Sequence, residues 1–413
     1  MRKKLISWML ALLLAGCALP ARAAHTREEV RERYANLPSS EALYLRQPDP
    51  SSGDVGQLTA DAEQSMLEYA RFMRWLAGVE EPLSLDDAYG ELAQAGAVLL
   101  AACGTAAHEL PQPEGFPDEL YALAAQGIGG ANIAAINWMD DGVLQTAIEF
   151  FQRDEGDRNR FALGHRRWLL SPALQRTGFG LANAASGMTY VTMYVHDFTA
   201  TSISPWAHIA WPSDGAFPAE YVYAGTPWCV ILNPEVYPEP GEGLKITVAC
   251  EETGEAFVMN RLAQEDAADA YWINAEAYGL GTALIFRPQP EAEFEQNQHW
   301  RVRIEGLCRA DGEPETIEYE VDMISLEPIP VRLIELNAET LSLSPGETAN
   351  LSASVVPAWA DDLSIRWSSS DEAVATVDAT GRVSALAEGR CAIVAQGADG
   401  QTAECTVSVH GGD

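Results

Sequence analysis

Two histidines and a short set of carboxylates are the residues in this sequence whose types and positions suit chemistry. His165 lies in the stretch 164–180, GHRRWLLSPALQRTGFG, between Gly164 and Arg166, with a helical pattern before it and a strand-like run after it. His108 follows a long alanine-rich helical pattern and precedes the break at Pro111 and Pro113. Neutral imidazole ligates divalent metals such as zinc and exchanges protons near neutral pH. The candidate acids ahead of His165 are Glu149, Asp154 and Glu155; the first borders the apolar stripe of a helix and the others lie at its end, and no spacing rule selects among them. Metal-assisted hydrolysis would need one of them, because a catalytic zinc site uses three protein ligands and hydrolysis needs a group that moves protons. The sequence contains neither G-x-S-x-G nor H-E-x-x-H, which removes the two motif-borne hydrolase chemistries.

The elements that must hold these side chains are legible as hydrophobic periodicity. From Ala60 to Ala77, Met66, Tyr69, Ala70, Met73, Leu76 and Ala77 recur at helical spacing, closed by Gly78. A second helix is predicted from Asp86 to His108, with Tyr89, Leu92, Ala95, Leu99, Cys103 and Ala106 as its stripe and Gly96 allowing close packing. That places His108 at a helix C-terminus, where the dipole favours imidazolium and a capping role competes with a functional one. A third helix is predicted over 142–153, burying Leu144, Ala147, Ile148 and Phe151, and two strands over 177–183 and 188–196. Residues 26–36 suggest a short charged helix and 46–57 a loop. The run GIGGANIAAIN at 127–137 is glycine-rich but lacks the strand–glycine–helix context of a phosphate site. Helices followed by strands predict an α+β domain.

These segments, in order, carry a resemblance. MLEYARFMRWLAGV, LSLDDAYGELAQAGA, AAHELPQP, GANIA, GHRRWLLSP and TGFGLA resemble the CAP superfamily, also called SCP or pathogenesis-related-1-like, and within it the large secreted bacterial branch. The resemblance covers about residues 58–198. It implies an α-β-α sandwich with a central cleft in which two histidines, flanked by two glutamates, hold a divalent ion in many members. His108 matches the first histidine and His165 the second; Asn132 and Arg166 are expected at the same cleft. The family's GEN motif reads Gly130, Ala131, Asn132 here, so one glutamate is replaced by Ala131. That change weakens the case for catalysis.

The flanking sequence sets the compartment. A basic start at Arg2, Lys3 and Lys4, an apolar run over 5–15 and the sequence LLAGC resemble a bacterial lipoprotein signal, with Cys17 as the lipidated residue. An A-x-A site at Ala21, Arg22 and Ala23 is the competing cut. The formal charge of −34 over 413 residues, with 47% hydrophobic content, fits a folded acidic protein and argues against nucleic acid or anionic lipid as partners. Of the other cysteines, Cys103, Cys229, Cys250, Cys308, Cys391 and Cys405, none forms a C-x-x-C pair, so a redox or zinc-ribbon motif is not supported. Cys391 and Cys405 are placed to meet across neighbouring strands.

Beyond residue 198 the character changes. Residues 205–228 are rich in proline and aromatics and are expected to pack along the domain edge, with His208 structural. Seven short strand-like runs then follow to about residue 326, WCVILN to IEYEVDMI, which predicts a β-sandwich. After EPIPVR at 327–332, the remainder resembles the bacterial immunoglobulin-like group 2 domain, with Gly346 and Gly381 at required turns. The expected organisation is a signal peptide at 1–23, a linker at 24–57, the CAP-like domain at 58–204, a β-sandwich at 205–328 and the Ig-like domain at 329–413. The expected function is that of a surface-anchored, non-catalytic binding module for a small apolar ligand, a peptide or a cell-surface partner, attached to the membrane by lipid only. The alternative is a metal-dependent hydrolase of peptide or cell-wall bonds, with His108 and His165 holding the ion.

Overall fold

The computed structural model describes residues 24–137, 142–154, 159–222, 225–238, 240–241, 243–261, 270–288, 294 and 296–411. Cys17, the expected signal segment and Glu155 lie outside the described residues. The chain divides into two compact units, one essentially residues up to 322 and the other mainly 323–413.

The first unit begins with helices whose ends are set by local chemistry. Helix α1 (Arg27–Ala35) opens on a capping box at Thr26 and Glu29. Helix α2 (Ala60–Leu76) is capped by the Thr59 side chain on Ala62 N–H, and α3 (Asp87–Cys103) by Asp86 on Tyr89 N–H. Gly104, in the left-handed conformation, stops α3. His108 therefore lies beyond that helix in a loop. The predicted helix to His108 was five residues too long, and the dipole argument for it falls away.

The glycine-rich run is structural. Helix α4 (Asp118–Gly129) and strand β1 (Ala131–Ile136) occupy most of 118–136, neither of which periodicity had predicted. A Cβ on Gly127 would stand 2.0 Å from Leu92 O, and one on Gly96 3.2 Å from Ile128. The glycines thus let α3 and α4 close on each other. Strands β2 (Phe179–Asn183) and β3 (Thr189–Tyr194) complete an antiparallel sheet in the order β1-β3-β2. One face packs Ile133, Ala135, Ala182 and Tyr190 against α3 and α4. On the other face Phe179, Leu181, Val191 and Met193 are fully buried; helix α5 (Val143–Arg153) contacts β1, and α2 packs on α5. Short helices α6 (Asn159–Ala162) and α7 (Gly164–Leu169) follow.

All seven strands expected between 228 and 326 are present, and the segment at 205–228 adds two more. Strands β4 (His208–Trp211), β5 (Gly215–Pro218), β6 (Trp228–Leu232), β7 (Lys245–Cys250), β8 (Ala256–Arg261), β9 (Ala270–Asn274), β10 (Thr282–Arg287), β11 (His299–Cys308) and β12 (Pro314–Ile324) form one sheet ordered β4-β6-β10-β9-β8-β7-β11-β12-β5. The β8–β9 junction is parallel and spans two residue pairs. Trp228 on β6 meets Trp300 on β11 at 6.2 Å between ring centroids, although four strands separate them in the sheet order, so the sheet folds over and packs upon itself.

Three arginines, Arg74, Arg166 and Arg167, are almost fully buried, and all donate to backbone carbonyls. Arg74 bonds Leu169 O at 2.7 Å and Ser171 O at 2.8 Å, tying α2 to the end of α7; burial pushes its pKa down to about 10.

The second unit is all β. A four-stranded sheet runs Thr340–Leu343, Thr402–Val409, Gly389–Gly397, Ile365–Ser369, and a three-stranded sheet runs Thr348–Asn350, Arg382–Ala385, Ala375–Val377. Val383, Ile393, Cys405 and Val407 are among its core residues. Gly346 and Gly381 have φ of 89° and 82°, and a Cβ on Gly381 would meet Leu351 O at 2.3 Å. Cys391 pairs in register with Val407 and Cys405 with Ile393. The two thiols are thus diagonal across the ladder of neighbouring strands, and both are free. No helix among the described residues is long and apolar enough to cross a membrane.

Candidate functional site

A cleft of about 780 Å³ opens beside the three-stranded sheet. Its walls include His108, Ala131, Asn132, His165, Trp168 and His196. The rings of His108 and His165 are 6.3 Å apart between centroids, inclined at 35°.

Each histidine is fixed through Nδ1. His108 Nδ1 lies 2.8 Å from Ile128 O at the end of α4. A carbonyl can only accept, so Nδ1 carries a proton, and in the neutral ring the lone pair is on Nε2. His165 Nδ1 lies 2.7 Å from Asp154 Oδ1, and Asp154 Oδ2 accepts Arg166 N–H at 3.0 Å. The Asp154 side chain is fully buried. Its backbone is left-handed (φ 52°) where it caps α5, which aims the carboxylate at the start of α7. Leu163, also left-handed at φ 49°, turns the chain into α7. Asn132 donates to His165 O at 2.9 Å, fixing the backbone that carries the imidazole.

This arrangement sorts the carboxylates. Asp154 stands behind His165 as its orienting partner. Glu149 pairs with Arg153 at 3.6 Å and its charge acts on Tyr69 of α2; it is not among the described residues that line the cleft. Arg166 also departs from expectation. One residue along a helix is a rotation of about 100°, and that step turns its side chain away from the cleft. The buried Arg166 guanidinium donates to Gln152 O at 2.6 Å and Pro227 O at 2.7 Å, joining α5 and α7 to the approach of β6. Ala131, which stands where the resembled motif has glutamate, lines the cleft.

Sequence reading missed a third histidine and the aromatic side of the cleft. His196 contacts Trp168 at 4.7 Å and Phe198 at 5.6 Å between ring centroids. Its position just past β3 was the available signal. Burial, and secondarily the nearby His108, lowers the His196 pKa. The folded state therefore resists a proton that the unfolded chain accepts, so stability is complete above about pH 6.5 and falls as pH drops below it. Thermal melts should show a Tm that declines from pH 7 to pH 5.5, with a shallower decline in His196→Phe; parallel slopes would refute the assignment.

The described residues contain no group of three or more His, Cys, Asp or Glu side chains placed to hold a metal. Two imidazoles bound through Nε2 to one tetrahedral ion hold their centroids ~5 Å apart, given metal–nitrogen bonds of about 2.0–2.1 Å. The observed 6.3 Å exceeds that spacing by about 1 Å, so the rings would draw together on a tetrahedral ion. The Nδ1 partners, a backbone carbonyl and a carboxylate, are those that support metal-ligating histidines. The donor types thus suit an open, two-histidine site completed by water, at a spacing wider than a bound ion would set.

Residues 330–407 match the bacterial Ig-like domain (group 2) family, and the C-terminal segment is a domain of that kind. Lacto-N-biosidase of Bifidobacterium bifidum is 48% identical over 69 residues, which is 17% of this chain and 6% of that enzyme. The chain thus spans only a small part of that relative's length. Among solved structures, an intimin mutant of EHEC O157:H7 is 22% identical over 18% of this chain and 45% of its own, with a TM-score of 0.16. Domains 4 and 5 of the S-layer protein SbsC are 15% identical, covering 40% of this chain and 94% of theirs, with a TM-score of 0.20.

Proposed function

We propose that this protein is an extracytoplasmic, surface-anchored binding module of the CAP type, with an α-β-α layered domain whose two-histidine cleft takes a divalent ion and a ligand without turning it over. The observation that carries this reading is the shared cleft of His108 and His165, each with Nδ1 occupied and Nε2 unspent. His108 and His165 would hold the ion, and water would fill its other positions. A bound divalent ion would polarise a ligand oxygen. Asn132 keeps the His165 backbone in place, and Asp154 keeps its tautomer. The wall residue at 131 is alanine, so the cleft has one acid fewer than the family pattern, which favours binding over turnover.

Calorimetry with zinc tests the proposal. The wild type should give a saturable exotherm or endotherm that weakens at acid pH, because protons compete for the ligand nitrogens. His165→Ala should abolish it, and equal heats for both proteins would end the proposal.

The buried Asp154–His165 pair favours a second reading, metal-dependent hydrolysis of peptide or cell-wall bonds. A carboxylate that orients an imidazole is also how a general base is held. Release of soluble fragments from cell-wall material by zinc-loaded wild type, lost in His165→Ala, would select this reading.

Anchoring belongs to the same proposal. The surface location rests on the LLAGC sequence and on the company of a bacterial Ig-like domain. Mass spectrometry of the mature N-terminus should find a lipid on Cys17; an unmodified start at Ala24 would contradict it.

A further inference from the structure

The β-sheet part of the first unit does more than extend the chain. The loop after β9 brings Ala277, Tyr278 and Gly279 into the cleft wall. Tyr278 lies against Gly164, where a Cβ would stand 3.0 Å from the ring; glycine immediately before His165 is what admits the tyrosine there. The loop is held by a clamp. Buried Arg167 donates to Asn274 Oδ1 at 2.6 Å, Glu276 O at 2.6 Å and Gly281 O at 2.8 Å, and its guanidinium lies 5.5 Å from the Tyr278 ring centre. Gly279, at φ 63°, passes so close that a Cβ would meet Arg167 O at 2.6 Å. A guanidinium offers five donors in a rigid fork, so three acceptors on one loop fix its position as a body.

The chemistry of the walls indicates what they face. Among the described residues, no Asp, Glu, Lys or Arg lines the cleft, in a chain of net charge −34. Aromatic faces are supplied by Trp168, Phe198 and Tyr278, with Phe198 76% exposed at the rim. Neutral hydrogen-bonding groups are supplied by Asn132 and Asn159, beside the two imidazoles proposed above to hold the ion. Rings with one apolar and one polar aspect satisfy both sets at once, and aromatic side chains contribute large contact area at low entropic cost. A fully apolar ligand would offer these amides and a bound ion no oxygen.

We infer that the cleft takes a neutral, hydroxyl-bearing ring ligand of the sugar class, with Tyr278 as a stacking residue that sets specificity and Arg167 as the residue that positions it. This rests on the cleft being the binding site, as proposed above, and adds the class of ligand. The full chain should be titrated with neutral N-acetylglucosamine and glucose oligomers of two to six rings, by calorimetry and ligand-observed NMR, with zinc titrated in parallel. Saturable binding by the wild type is expected, weakened at least tenfold in Tyr278→Ala and little changed in Tyr278→Phe, which keeps the ring. Asn274→Ala, which removes one arm of the clamp, should weaken sugar binding while leaving the zinc heat unchanged. That pattern separates positioning from general unfolding. Zinc binding without saturable binding of any oligomer would overturn the inference and leave the binding-module reading standing. Equal affinity in Tyr278→Ala would overturn it as well, as would binding of the apolar dye anilinonaphthalene sulfonate in place of sugars. Loss of both zinc and sugar binding in the wild type would remove the cleft reading itself.

Discussion

Arg166→Ala is expected to lose about 3–5 kcal/mol of stability, from one unsatisfied carbonyl or more at about 1–3 kcal/mol each together with the cavity left by the side chain. The guanidinium is completely buried and bonds Gln152 O at 2.6 Å, Pro227 O at 2.7 Å and Arg153 O at 3.3 Å. It also lies 3.6 Å from Cys229 Sγ and 6.0 Å from the Trp211 ring centre. Truncation therefore strips acceptors from the end of α5 and the entry to β6 together. At ~2–4 °C per kcal/mol for a unit of this size, the Tm of the first unit should fall by roughly 10 °C in a calorimetric scan. Arg166→Met restores most of the volume but none of the donors, so it should recover only part of the loss. A shift under about 2 °C for Arg166→Ala would show that the carbonyls find other partners and that the residue is not the joint described.

Asp154→Asn tests the hold on His165. Asparagine tolerates the left-handed backbone that residue 154 adopts, at φ 52°, so the change is confined to one oxygen. The carboxylate accepts from two donors, His165 Nδ1 at 2.7 Å and Arg166 N–H at 3.0 Å. An amide has one acceptor and one donor group, so one of these N–H groups must face an NH₂. The expected result is a stability loss of about 1–3 kcal/mol and zinc affinity lowered about 10–100-fold, the range found when a partner behind a ligating histidine is removed. Urea unfolding and zinc calorimetry measure the two separately. Unchanged zinc affinity would mean that the carboxylate does not set the tautomer.

Much of the architecture could be read from the chain because local and tertiary preferences agree. The predicted helix over Ala60–Ala77 and that over 142–153 carry one apolar face each, and both form. The terminal domain is legible for the same reason: its turns need glycine where Gly346 and Gly381 occur. The failures have physical causes. Helix α4 and strand β1 were hidden because glycine normally signals a loop, whereas Gly127 serves close backbone approach to Leu92. His108 was assigned to a helix end because the apolar stripe ran on past Gly104, and the cap outweighed the stripe. Arg166 was expected at the cleft with His165, but neighbours on a helix diverge. Tyr278 could not have been found from sequence, since more than a hundred residues separate it from His165 and only the folded sheet brings the loop back.

The most direct measurement of the central claim is ¹⁵N NMR of the histidine rings during a zinc titration. Both His108 and His165 should start as the Nδ1–H tautomer, and their Nε2 resonances should shift together at one equivalent of zinc while His196 is perturbed only as a neighbour. Nε2–H tautomers at either position, or zinc shifts confined to one of the two rings, would contradict a shared site.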